Sequence, residues 1–114
     1  MTELALFLDN NRSVVYFEEP GSYRDTVANV AYVISQGEKR EVRPHKGVIH
    51  PVPVRPGDRV VKVYVSNRGN TYIHVYRVER EKESGWLTLK PLHSYVNPPI
   101  NVLKELGLEE VDIP

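Results

Sequence analysis

The sequence predicts a β-rich domain, all-β or β-dominated α+β, built as a small curved sheet or open barrel of antiparallel strands with one short C-terminal helix. Three observations predict it. Short runs rich in Val, Ile and Tyr recur between turn residues along most of the 114-residue chain. Residues 59–80 spell out a hairpin. A helix signature, proline before and glycine after, occurs near the C-terminus.

The elements follow in order. Leu4–Leu8 is a short apolar run and reads as a strand. Asp9-Asn10-Asn11 is a turn signal, and Ser13–Phe17 is a second strand that makes a hairpin with the first. Pro20-Gly21-Ser22 breaks it. Residues Thr26–Ser35 carry two patterns. Val27, Val30, Ala31 and Ile34 fit a helical stripe, whereas Val30, Tyr32 and Ile34 alternate in a β-branched segment. The reading favours a strand, ended by Gly37. Residues 38–58 contain Pro44, Pro51, Pro53 and Pro56, a density that a central strand does not tolerate. They read as an extended basic connector over the surface, with Val48-Ile49 and Val52–Val54 as short edge pieces.

Pro56-Gly57-Asp58 is a turn, with Asp58 supplying turn chemistry. Arg59–Val65 and Thr71–Arg80 then flank Asn67-Arg68-Gly69. A three-residue hairpin loop needs a left-handed residue after a type I turn, and Gly69 adopts that conformation without a Cβ penalty. The loop sets the register. Val65 faces Thr71, Val63 faces Ile73 and Val61 faces Val75 on one side. Tyr64 faces Tyr72, Lys62 faces His74 and Val60 faces Tyr76 on the other. Leu87 and Leu89 alternate with Trp86, Thr88 and Lys90 in a last strand. Asn97-Pro98-Pro99 opens a helix whose apolar stripe is Ile100, Leu103 and Leu106, and Gly107 stops it. Residues 1–108 form one domain, followed by an acidic tail over 109–114.

Composition narrows the function classes. The chain has no cysteine, which excludes disulfides, thiolate metal sites and thiol catalysis. No basic region precedes the first apolar run and no apolar stretch nears the length of a membrane span, so a cytoplasmic protein, cellular or viral, is expected. One Gln, one Met and nine prolines suit a thermophile. The net charge is zero but uneven. Residues 39–82 hold 11 basic and 4 acidic residues, giving +7, against −4 for residues 1–38 and −3 for residues 83–114. Either the acidic ends fold across this middle and neutralise it, or the middle meets an anionic partner.

The hairpin's second face favours the partner. Lys62, Tyr64, Tyr72, His74 and Tyr76 interleave rings with positive charge, with Arg59 and Arg68 beside them. Single-stranded nucleic acid is held in this way, by bases stacked on rings and phosphates neutralised by cations. Lys39, Arg40, Arg43 and Lys46 form a second basic cluster that would add phosphate contacts. The sequence therefore predicts a nucleic-acid-binding protein that prefers single strands. The alternative is a structural or interaction protein that homodimerises through the same tyrosines, residues also enriched at interface cores. A small nuclease, with His74 as general base and Lys62 or Arg59 stabilising developing charge, is the third reading.

Four histidines, His45, His50, His74 and His93, lack metal-binding spacing, and no phosphate-loop or nucleophile-elbow motif occurs, so no metal or cofactor is expected. The last six residues, Glu109-Glu110-Val111-Asp112-Ile113-Pro114, resemble the acidic tip of bacterial single-stranded-DNA-binding proteins. That tip recruits partner enzymes, and the resemblance implies a protein contact for this tail. The family's tip places a phenylalanine after Ile-Pro, which is missing here.

Overall fold

The computed structural model of the chain describes residues 4–18, 26–43 and 49–114. It is strand-dominated with one short α-helix, as the sequence predicts, but the strands divide between two antiparallel sheets instead of closing into a barrel. β1 (Ala5–Asp9) and β2 (Val14–Glu18) form the expected hairpin, and β5 (Ile49–Pro53) pairs with β2 to complete a three-stranded sheet. The second sheet has five strands in the order β4-β3-β6-β7-β8: β3 (Thr26–Ser35), β4 (Glu38–Val42), β6 (Arg59–Ser66), β7 (Thr71–Arg80) and β8 (Leu87–Val96).

The middle of β3 is buried on both faces of the five-stranded sheet, and this explains the double pattern of Thr26–Ser35. Val30, Ala31, Tyr32 and Val33 are consecutive and all at most 3% exposed. A strand covered on both sides reads as a continuous apolar run, which periodicity alone does not distinguish from a buried helix. One face packs Ala31, Val33, Val60, Val78 and Leu87 against Val15, Phe17 and Val52 of the three-stranded sheet. The other packs Val30, Tyr32, Val61, Val63, Ile73 and Val75 against the C-terminal segment.

That segment begins with α1 (Ile100–Glu105), capped by Pro99 in extended conformation. It ends in a Schellman arrangement. Gly107, at φ +81°, donates to the Lys104 carbonyl at 3.0 Å, and Leu108 donates to that of Leu103 at 2.8 Å. Leu103, Leu106 and Leu108 are buried. Ile100 is not: it is 51% exposed, and Val102 joins the packed stripe instead. A six-residue helix has under two turns, and here Ile100 at its start faces away from the sheet while Val102 and Leu103 face it.

Within residues 109–114, expected as an acidic tail, Asp112 lies against β3 and β4 and Ile113 packs on the core. Glu110–Asp112 form a single 3-10 turn. The Tyr32 hydroxyl donates to the Asp112 carbonyl at 2.6 Å, Lys39 pairs with the Asp112 carboxylate, and the Glu109 N–H donates to the same carboxylate at 2.7 Å. Burial, reinforced by the Asp112 and Glu41 charges, pushes the Tyr32 pKa up to about 12, so it remains a donor. For Asp112, burial acts upward, but the hydrogen bonds from Lys39 and the Glu109 N–H, together with the Lys39 charge, outweigh it and hold the carboxyl below its usual range. A depressed folded pKa contributes stability that is fully present above the unfolded value of about 4 and is lost as pH falls through the folded value. Asp112→Asn should therefore flatten the decline in stability below about pH 4. At neutral pH it should cost about 1–3 kcal/mol, as measured by urea unfolding across pH.

Candidate nucleic-acid interface

The hairpin forms with the register its loop dictates. Gly69 sits at φ +84° and donates to the Ser66 carbonyl at 3.0 Å. Ser66 closes the loop by pairing its N–H with the Asn70 carbonyl at 2.9 Å. Val63 lies opposite Ile73, Val61 opposite Val75, Tyr64 opposite Tyr72 and Lys62 opposite His74. Val61, Val63, Ile73 and Val75 are at most 2% exposed on one face.

The tyrosine face is graded along its length. At the end away from the loop it lies under the three-stranded sheet, where Val60 and Val78 are buried and Tyr76 packs against the same core. Lys62 stands at the boundary and turns inward. It is 6% exposed, its Nζ donates to the Leu4 carbonyl at 3.2 Å, and it lies 5.7 Å from the Tyr76 ring centroid. Its charge therefore serves the interior.

Nearer the loop the rings form a stack. Tyr64, itself buried, lies 4.9 Å from Tyr72 with only 13° between ring planes, and 5.7 Å from His74 at 27°. The Tyr64 hydroxyl and His74 Nε2 share a hydrogen bond of 3.3 Å. His74 Nδ1 lies 2.8 Å from Ser94 Oγ on β8. The imidazole is thus held on both nitrogens, and Tyr72 and His74 present partly exposed ring surface. Val96, opposite Tyr72 and 61% exposed, extends the surface, and Arg68 stands exposed on the loop.

Among the described residues, the structure does not gather the remaining basic candidates around this stack. Arg59 lies opposite Ile34 and Arg77, on the face opposite to Lys62. Lys39 is paired with Asp112 and lies 5.6 Å from the Tyr32 ring centroid. Arg43 pairs with Glu41. Arg40 lies opposite Val33 and, with Arg55, Ser35 and Glu38, lines an inter-sheet cleft of about 310 Å³. Because Tyr64 lies opposite Asn29, the β3 partners of residues 39 and 40, Ile34 and Val33, sit four to five residues farther along that strand, roughly 15 Å. Lys46 and His45 lie outside the described residues. Partial neutralisation occurs as the charge asymmetry allowed, most plainly where the acidic C-terminus meets Lys39.

The nuclease arrangement is not assembled either, since Lys62 points inward and Arg59 occupies the other face from His74. Among the described residues, no cluster of His, Asp and Glu is placed to hold a metal ion, and no helix is long and apolar enough to cross a membrane. Asp58 performs its turn role, accepting the Arg55 N–H at 2.9 Å.

One surface escaped the sequence reading. On the outer side of the three-stranded sheet Phe7 is 66% exposed, 6.1 Å from the Tyr16 ring, and Ile49 is 56% exposed. The signal was present as alternation, with Leu6, Leu8, Val15 and Phe17 inward and Phe7 and Tyr16 outward. Comparison of the chain with protein-family models, curated proteins and solved structures yields no match.

Proposed function

We propose that the protein binds single-stranded nucleic acid on the Tyr72–His74 surface, with Arg68 contacting phosphate at its edge. The observation that supports this most is the preformed stack of Tyr64 on Tyr72 and His74. A ring already held flat by a buried neighbour loses little freedom when a base stacks on it, and every base offers a π face. The proposed site is smaller than the sequence suggested. Lys62 and Arg59 leave it, Tyr64 supports it from beneath, and Tyr76 belongs to the inter-sheet core. Affinity then comes mainly from stacking. The slope of log affinity against log salt should be shallow, about −0.7 if Arg68 alone neutralises a phosphate.

The test is a fluorescence-anisotropy titration with a labelled single-stranded oligonucleotide at two salt concentrations. Tyr72→Ala should weaken binding by about 1–3 kcal/mol, roughly 5- to 150-fold, without altering the salt slope. Arg68→Ala should remove most of the slope. Absence of binding by the intact protein at low salt overturns the proposal. Homodimerisation through the tyrosine face has less support, because Lys62, Tyr64 and part of Tyr76 are covered within the chain. An intracellular setting, cellular or viral and at high temperature, belongs to the same proposal.

A further inference from the structure

A sheet edge exposes a row of unpaired backbone donors and acceptors, and proteins guard such edges against stray strands. The two sheets have four edges, β1, β5, β4 and β8. Three are guarded. β5 contains Pro51 and Pro53, which have no N–H to offer. β4 sets Glu38, Lys39, Arg40 and Glu41 in succession. β8 contains Pro91 and a register shift opposite Val75 and Tyr76. β1 has none of these devices. It reads Ala-Leu-Phe-Leu-Asp, and its one charge, Asp9, sits at its end and pairs with Arg12. Among the described residues β2 is its only strand partner, and β8 comes close without pairing.

The side chains add a second argument. Leu6 and Leu8 pack only partly into the inter-sheet core, while Phe7 stands out beside Tyr16 and near the exposed Ile49. We propose that β1 pairs antiparallel with β1 of a second copy about a two-fold axis at Phe7, joining the two three-stranded sheets into one of six strands.

This register is self-complementary. Phe7 faces Phe7, Leu6 faces Leu8 and Ala5 faces Asp9 across the axis. Tyr16 lies opposite Phe7 within each copy, so one row of the outer face becomes Tyr16–Phe7–Phe7–Tyr16. Glu18 lies opposite Ala5 within each copy. The Asp9–Arg12 pair of the second copy therefore arrives beside the small Ala5. Arg12, whose side chain is 75% exposed, then comes within reach of Glu18. Symmetry makes this contact twice. The pairing is independent of nucleic-acid binding at Tyr72 and His74.

The chain lacks cysteine, so Phe7→Cys introduces its only thiol. Two such thiols at the axis lie within disulfide reach, and mild oxidation should yield covalent dimers at least about tenfold faster than for Thr88→Cys on β8. In sedimentation equilibrium the intact protein should show a concentration-dependent dimer. Phe7→Lys, which sets like charges opposite one another, should be monomeric with an unchanged far-UV spectrum. A protein that stays monomeric up to about 0.1 mM overturns the proposal. So does a dimer indifferent to Phe7→Lys, or equal cross-linking of the two cysteine variants.

Discussion

Phe17→Ala lowers the unfolding free energy by about 3–5 kcal/mol in urea denaturation, the range for deleting a buried aromatic ring. Phe17 is fully buried on the inner side of β2, the largest such side chain in the core between the sheets. It lies opposite Leu6 on β1 and His50 on β5, at the centre of the three-stranded sheet. Removing it leaves a cavity facing the five-stranded sheet, and paired strands on both sides limit how far the gap can collapse. The transition should stay single and cooperative, because both sheets share this core. A loss below about 1 kcal/mol would mean that the sheets are not packed on one another through Phe17.

Lys62→Ala should cost about 2–4 kcal/mol, a large loss for a lysine. Its side chain is buried, with Ala31 and His74 as its cross-strand neighbours, and its ammonium donates to the Leu4 carbonyl. Truncation removes the packing and leaves that carbonyl without this donor. Lys62→Met, which keeps the stem, should recover much of the loss. The salt slope of nucleic-acid binding should be the same in Lys62→Met as in the intact protein. A slope that falls by one phosphate's worth would return Lys62 to the binding surface.

What was legible in the sequence was local. The hairpin register followed from Asn67-Arg68-Gly69, because a loop of that length with glycine at the left-handed position admits few pairings. The helix and its stop followed from Pro98-Pro99 and Gly107. What covers each face was not legible, because that depends on contacts between residues far apart in the chain. Alternation placed Lys62 with the tyrosines, correctly, but gave no sign that β1 and β2 would lie over that end of the face. The departure of β5 to the smaller sheet is likewise non-local: its prolines mark an edge without saying which sheet it belongs to. Asp112 reads in the sequence only as part of an acidic tail. The apolar Leu108 and Ile113 around it were the available hint that the segment docks.

The proposed site is tested most directly by aromatic-proton NMR of the intact protein during titration with a single-stranded oligonucleotide. Base stacking on the platform should shift the ring resonances of Tyr72 and His74 upfield, together with the methyl resonances of nearby Val96, while the ring resonances of Tyr16 on the opposite sheet stay in place. Binding that leaves Tyr72 and His74 unshifted, or an oligonucleotide that shifts no resonance at low salt, would contradict it.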